Sequence, residues 1–345
     1  MNYFLFNREI FDANYNCSYY DINIQSIEER TNIGYGIGLI VLSIIFLCLY
    51  APLIVVLWQP YFQQENCYRL MSIIVIIDII AIFISGIIAG YFSIIGAVFC
   101  SSPWAMLSFG TIGLFVWIAE SDLSIILAFN RCTCIISANK TSSFFDGYKT
   151  YFWVAAAFGH ATIVCLTTNG LIYSSIFGVW IFNPHAGYPQ TGFNFANKWQ
   201  PFHNVGVAFL LAFFYIIFVA NLIQKKYYSS EKSVFSKKQK PIFFQVLIVS
   251  LLNFFIALLY VYEQYFPTPK ILMAVSEVGW LCIHGAPAVI YLFLNKSIRK
   301  RVINLVFKTP YMNSISPNNA AENNLSIINS NMLRSGTVTP ISKTI

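Results

Sequence analysis

Four carboxylates, Asp78, Glu120, Asp122 and Glu277, stand inside long apolar stretches of this 345-residue chain. Placing a charge in an apolar medium costs on the order of 2.5–3.5 kcal/mol even on lenient membrane-insertion scales, so each acid must face other protein and find a partner. Glu120 precedes Arg131 by eleven residues, which on a helix returns to within about 20° of the same face, roughly 16 Å along the axis. Asp78 lies nine residues past Arg69, ~13 Å by the same rise. If the two arginines mark one surface, the acids sit at similar depth and can meet, and like charges that close share a proton or hold a sodium ion. The alternative is that each satisfies separate backbone or hydroxyl groups. No other cofactor is expected.

Asp122 falls on the opposite helix face from Arg131, at a depth similar to His160, so an Asp122–His160 ion pair is one arrangement the spacing allows. Glu277, about 10 Å from the far end of its apolar run, suits either ligand contact or structural pairing, and Trp180 and Trp280 join it as ligand-pocket candidates. Cys132 and Cys134 form a C-x-C without a neighbouring histidine or carboxylate set, which argues against zinc. The histidines, 160, 185, 203 and 284, are separated along the chain, and no HExxH or Ser/His/Asp pattern is assignable. Neither a metal centre nor catalytic chemistry is expected, so the chain does not read as an enzyme.

The elements that must hold these groups follow from composition. The chain is 57% apolar and only 10% charged, with a mean hydropathy of +0.63, against roughly 25% charged residues in a soluble domain. A bilayer core about 30 Å thick needs ~20 apolar residues per helix. Seven such runs occur, at about 33–57, 70–95, 103–130, 151–173, 203–223, 242–262 and 271–294. Their continuity marks them as helices, since barrel strands would alternate over ~10 residues. The fold class is therefore an all-α integral membrane bundle of seven helices. Its segments are 1–32 before the first helix, 33–294 for the bundle, 295–308 as a short amphipathic helix and 309–345 as a disordered tail.

Seventeen of the 21 Lys and Arg residues then fall on one side, which places the amino terminus outside and the carboxyl terminus inside. The basic face suits anionic lipid or an acidic protein and does not argue for nucleic acid. Asn16 begins an outer glycosylation sequon, "NCS". Cys17 and Cys100 are the cysteines on the outer side, so they form either a disulfide or two unpaired thiols. Residues 174–201 read as a turn-rich loop, either a lid over the bundle mouth or a plain connector.

The block "NCYRLMSIIVIIDIIAIFISGIIAGYFSIIGAVFCSSP", with "WIAESDLSIILAFNRC", "WIFNP" and "HGAPAVIYLFLNKSIRKRV", resembles the class T serpentine receptors of nematodes, the srt family, a chemoreceptor branch of the G-protein-coupled receptors. The resemblance spans roughly residues 16–308. It implies that Arg131 corresponds to the arginine closing the third helix in rhodopsin-like receptors, with Asn130 in place of the acid and Cys132 in place of the tyrosine. Asp78 resembles the sodium-holding aspartate of that superfamily, while Glu120 is an extra acid that favours a shared proton. Pro287 and Tyr291 are similar to the seventh-helix Asn-Pro-x-x-Tyr motif but one residue longer and without the Asn. The usual disulfide from the third helix to the second outer loop has no cysteine in that loop, which raises the case for Cys17 with Cys100.

Together these imply a plasma-membrane receptor, at the sensory cilium of chemosensory neurons in the nematode family, that detects a small external cue. Arg131, Asn130, Lys225, Lys226, Lys237 and Lys238 would then face the α subunit of a heterotrimeric G protein. The alternative is a small proton-coupled transporter using Asp78, Glu120 and Asp122.

Overall fold

The computed structural model describes residues 5–18, 20–136, 143–189, 192–228 and 234–307; the side chains of 222, 225–228, 234–247, 249 and 250 are left undescribed. Seven long helices dominate: α1 (Ile33–Leu57), α2 (Asn66–Ile94), α3 (Pro103–Ile136), α4 (Lys149–Thr167), α5 (Trp199–Tyr228), α6 (Val234–Tyr265) and α7 (Lys270–Leu294). A shorter α8 (Lys296–Phe307) follows α7. Among the described residues, all but α6 carry a window long and apolar enough to cross a membrane, and α6, of 32 residues, contains the apolar run 242–262. The chain is a multi-pass membrane protein with a serpentine seven-helix bundle.

The helices form because long apolar runs with few breakers satisfy their own backbone hydrogen bonds, the one requirement a bilayer imposes everywhere. Exposed Ile37, Val41, Ile44 and Ile45 on α1 and Phe209, Phe213 and Ile216 on α5 give these helices apolar outer faces, as lipid contact demands. Leu53, Val75, Ile118 and Leu281 fill the interior. α3 packs on α2, α4 and α5, while α7 packs on α1, α2 and α6. α1 and α2 touch backbone to backbone: a Cβ on Gly36 would lie 2.5 Å from the Gly90 carbonyl oxygen, and one on Gly90 2.6 Å from that of Gly36. Small residues permit such approach in membranes. Phe83–Ile88 forms a π-helical turn within α2.

Several expected boundaries shift. α3 continues to Ile136, so Arg131 lies within the helix rather than after it. α4 stops at Thr167 instead of 173, because Ile172–Ser174 is taken up as a strand, β1, paired antiparallel with β2 (Val179–Ile181), Tyr173 opposite Trp180. The 174–201 loop therefore carries a regular hairpin where turns alone were expected, its tight turn using Gly178 at φ 70°. Gly110 of α3 receives it: a Cβ there would lie 1.7 Å from the Leu171 carbonyl oxygen.

Residues through Val302 form one compact unit and those from Ile303 a second. In α8, Ile298 and Val302 are buried while Leu305 and Val306 are exposed. Arg301 donates to Gln59 Oε1 at 3.1 Å and lies over the Tyr61 ring at 4.1 Å, which ties α8 to the α1–α2 turn. The tail beyond 307 lies outside the described residues.

Candidate functional site

The hairpin lies at the end of the bundle where α2 ends and α3 begins, and beside it opens a cavity of about 670 Å³. Its walls are Phe177, Trp180 and Phe193–Ala196 from the loop, Tyr260, Glu263 and Gln264 from α6, and Met273 from α7. This is a drug-sized space with aromatic walls and a few polar groups, the usual make-up of a small-molecule site. Glu263 accepts from Ser276 Oγ at 3.1 Å through Oε2, and its Oε1 is buried without a hydrogen-bond partner. Sequence reasoning missed Glu263; the signal was an acid directly after the sixth apolar run, in the last turn of α6.

The segment before α1 closes over the same end. Cys17 and Cys100 are joined by a disulfide. Tyr20 stacks on Tyr188 at 4.2 Å, Tyr188 donates to the Ile22 carbonyl at 2.9 Å and Gln25 to that of Gly187 at 2.9 Å. His185 is fully buried, with Nε2 2.6 Å from the Asn14 carbonyl and Nδ1 3.1 Å from the Tyr20 hydroxyl. A carbonyl only accepts, so Nε2 carries the proton and Nδ1 accepts from Tyr20. Burial lowers the His185 pKa from its ordinary value, with the Asn14 bond opposing. Burial, with Tyr188 beside it, pushes the Tyr20 phenol up to about 12, which keeps it a donor. Asn16 is exposed on this segment.

From the cavity a line of groups runs along one face of α7. Glu277, Trp280, His284 and Tyr291, spaced by three, four and seven residues, all point into the bundle and are buried. Glu277 Oε2 accepts from Tyr260 Oη at 3.2 Å and from the Trp180 backbone N–H at 3.3 Å, and its Oε1 has no partner. It therefore sits behind the cavity wall and not in it. Trp280 meets Tyr260 edge to face at 6.3 Å, lines a narrow cleft with Trp117 and Leu171, and donates Nε1–H to His284 Nε2 at 3.0 Å. His284 Nδ1 lies 2.8 Å from Asp78 Oδ1, and Tyr50 Oη lies 2.9 Å from Asp78 Oδ2 and 2.6 Å from the His284 carbonyl oxygen.

Asp78 and Glu120 are both buried, and their bonds go to separate partners, the alternative to a shared site. Asp78 is held by Tyr50 and His284, whereas Glu120 Oε1 accepts from Ser124 at 2.7 Å and its Oε2 has no partner. The two acids were matched by depth alone, which left out the histidine that reaches Asp78 from α7.

At the other end, Arg131 Nε is buried without a partner, and so are both amide atoms of the fully buried Asn130. Pro287, within α7, is buried. Cys132 Sγ donates to the Phe214 carbonyl at 3.0 Å, a packing role. Lys225, Lys226, Lys237 and Lys238 have side chains outside the described residues. On the α3–α4 side, His160 Nδ1 lies 2.6 Å from Asp122 Oδ2. His203 lies beside it, ring centroids 5.6 Å apart, so two histidines read as separate are neighbours; α4 and α5 meet there, which linear spacing does not reveal.

A seven-helix bundle with a cavity beside a hairpin at one end and a half-buried arginine at the other is the architecture of a serpentine receptor. The chain matches the family described as "Serpentine type 7TM GPCR chemoreceptor Srt" over residues 1–314 and belongs to it. It is 26% identical over 300 residues, 84% of this chain and 81% of the relative, to serpentine receptor class T-55 of Caenorhabditis elegans.

Proposed function

We propose that this receptor binds a small external molecule in the 670 Å³ cavity and signals through a heterotrimeric G protein at the Arg131 end. In this reading the hairpin end faces outward, the charged loops face the cytoplasm, and the protein works in the plasma membrane of a sensory cell, at its cilium. The observation that carries it is the buried stripe Glu277, Trp280, His284, Tyr291, which runs from the cavity wall at Tyr260 along about 21 Å of α7 toward the end of the bundle that holds Arg131. A ligand that moves Tyr260 or Trp180 alters the support of Glu277 and biases α7 between two packings. Aromatic walls and the unpartnered Glu263 Oε1 favour a ligand with an apolar body and a hydrogen-bond donor or cationic group.

For the group at Asp78, the donor set favours a proton over sodium. Both carboxyl oxygens already face His284 Nδ1 and Tyr50 Oη, and an imidazole N–H is no ligand for a hard cation. Trp280 donates to Nε2, so the His284 proton is on Nδ1 and points at Asp78. Tyr50 has one proton and two acceptors; giving it to the closer His284 carbonyl leaves the Asp78 contact to a proton on the carboxyl itself.

The test is a screen of volatile and soluble cues on cells expressing the receptor with a promiscuous Gα and a calcium reporter. A cue should be found whose response Arg131→Ala abolishes while surface expression holds, and which Glu263→Gln weakens at least tenfold. A response that survives Arg131→Ala would overturn the role given to the arginine. Accumulation of the cue in proteoliposomes without any G protein would favour transport instead.

A further inference from the structure

We infer that Asp122, His160 and His203 bind a divalent transition-metal ion between α3, α4 and α5. A carboxylate oxygen of Asp122 and one ring nitrogen from each histidine lie within 4.8 Å of one another. Metal bonds of about 2.0–2.2 Å would draw such donors to roughly 3.4 Å apart, a change that side-chain rotation supplies. The second observation is His203 itself: the residue is only 7% exposed and its Nε2 is buried with no hydrogen-bond partner. A buried polar atom left unsatisfied calls for an explanation, and a metal-bound imidazole supplies one.

The donor types choose the ion. Two imidazoles and one carboxylate favour zinc, copper or nickel over magnesium or calcium, which prefer all-oxygen sets. Three protein ligands would leave a fourth position open to water or another ligand; His160 is about one-third exposed, and Trp199 stands 6.0 Å from its ring. His203 is four residues from the start of α5 and His160 seven from the end of α4, so the ion would sit one to two turns inside the hairpin end. The three ligands come from three helices, so binding would clamp α5 to α3 and α4.

The site stands apart from the cavity and the α7 stripe, and its test does not need a ligand for the receptor. Full-length receptor, purified without a polyhistidine tag and placed in nanodiscs, would be titrated with Co²⁺ while its visible d–d absorption is followed, then with Zn²⁺ as competitor. One ion per chain should bind, displaced by Zn²⁺ but not by a hundredfold excess of Mg²⁺. His203→Gln, His160→Gln and Asp122→Asn should each lower affinity at least tenfold, with heat-inactivation profiles in metal-free buffer reporting which variants remain folded. Absence of stoichiometric Co²⁺ binding to the wild type overturns the inference. So does wild-type affinity in any folded variant.

Discussion

Replacing Asp78 tests the proton network in a way that separates size from charge. Tyr50, Asp78 and His284 are each at most 1% exposed, so a group left without its partner there has no water to turn to. In the proposed arrangement Asp78 accepts from His284 Nδ1–H through Oδ1 and donates through Oδ2 to Tyr50. Asn supplies the same pair, an acceptor oxygen and a donor nitrogen, in the same outline. Asp78→Asn should therefore change stability by less than about 1 kcal/mol. Asp78→Leu removes both and strands the buried His284 Nδ1–H, at about 1–3 kcal/mol, while Tyr50 keeps its bond to the His284 carbonyl. That is at least a ~5-fold rise in the opening equilibrium of α7. Hydrogen exchange of the α7 amides around Trp280–Ala288 in nanodiscs reads that ratio directly. Infrared difference spectra of wild type minus Asp78→Asn should also show loss of a carboxylic-acid C=O band, which an ionised carboxylate lacks. No such band, or an Asn variant as loosened as the Leu variant, refutes the argument.

Three other perturbations address the ends of the bundle. Cys17→Ser with Cys100→Ser frees the segment between Cys17 and α1, a loop of about 15 residues whose closure is worth ~3 kcal/mol, so exchange at Tyr20–Gln25 should rise about a hundredfold while α3 amides stay protected; unchanged exchange would show that the noncovalent contacts suffice. His185 has a lowered pKa, so the unfolded or opened state takes up its proton first. The lid contacts are at full strength above pH ~6.5 and weaken as pH falls from there toward the depressed value. Exchange at Asn183–Tyr188, corrected for its intrinsic pH dependence, should rise on acidification in the wild type and stay flat in His185→Gln. Gly90→Leu puts a side chain where 2.6 Å separates a Cβ from the Gly36 carbonyl oxygen, and should abolish folded receptor as judged by size-exclusion chromatography, whereas Gly34→Leu, with nothing within 4 Å, should not.

The bundle was legible because a bilayer asks one coarse thing of a sequence, about twenty apolar residues per span, and runs of that length survive single breakers such as Pro52 and Pro287. The ends of the helices were less so. Residues 171–173 are apolar and read as a continuation of α4 past Thr168–Gly170, yet they leave it because Leu171 packs its carbonyl on Gly110 and Tyr173 pairs with Trp180. Those partners are 61 residues before and seven residues after, and no local window contains both. α3 overran its apolar segment for the converse reason: Thr133 Oγ1 bonds to the Asn130 carbonyl one turn back and Cys132 to the α5 backbone, so the helix outlasts its apolar run.

Within the bundle, helical phase gives each side chain an azimuth and a depth but not the neighbour it meets. Asp122 and His160 could be matched because both sit on adjacent antiparallel helices joined by a short loop. Asp78 and Glu120 matched equally well by depth, yet the groups on Asp78 are Tyr50 and His284, 28 residues before and 206 after it. The α7 stripe was nonetheless written in the chain: Glu277, Trp280, His284 and Tyr291 repeat at three, four and seven residues, the spacing of one helix face. In a span whose other face meets lipid, polar groups on one stripe must look inward. Read as a face, and not as separate candidates, His284 falls between the cavity and the end of the bundle that holds the arginine, on the route along which the proposed signal would pass.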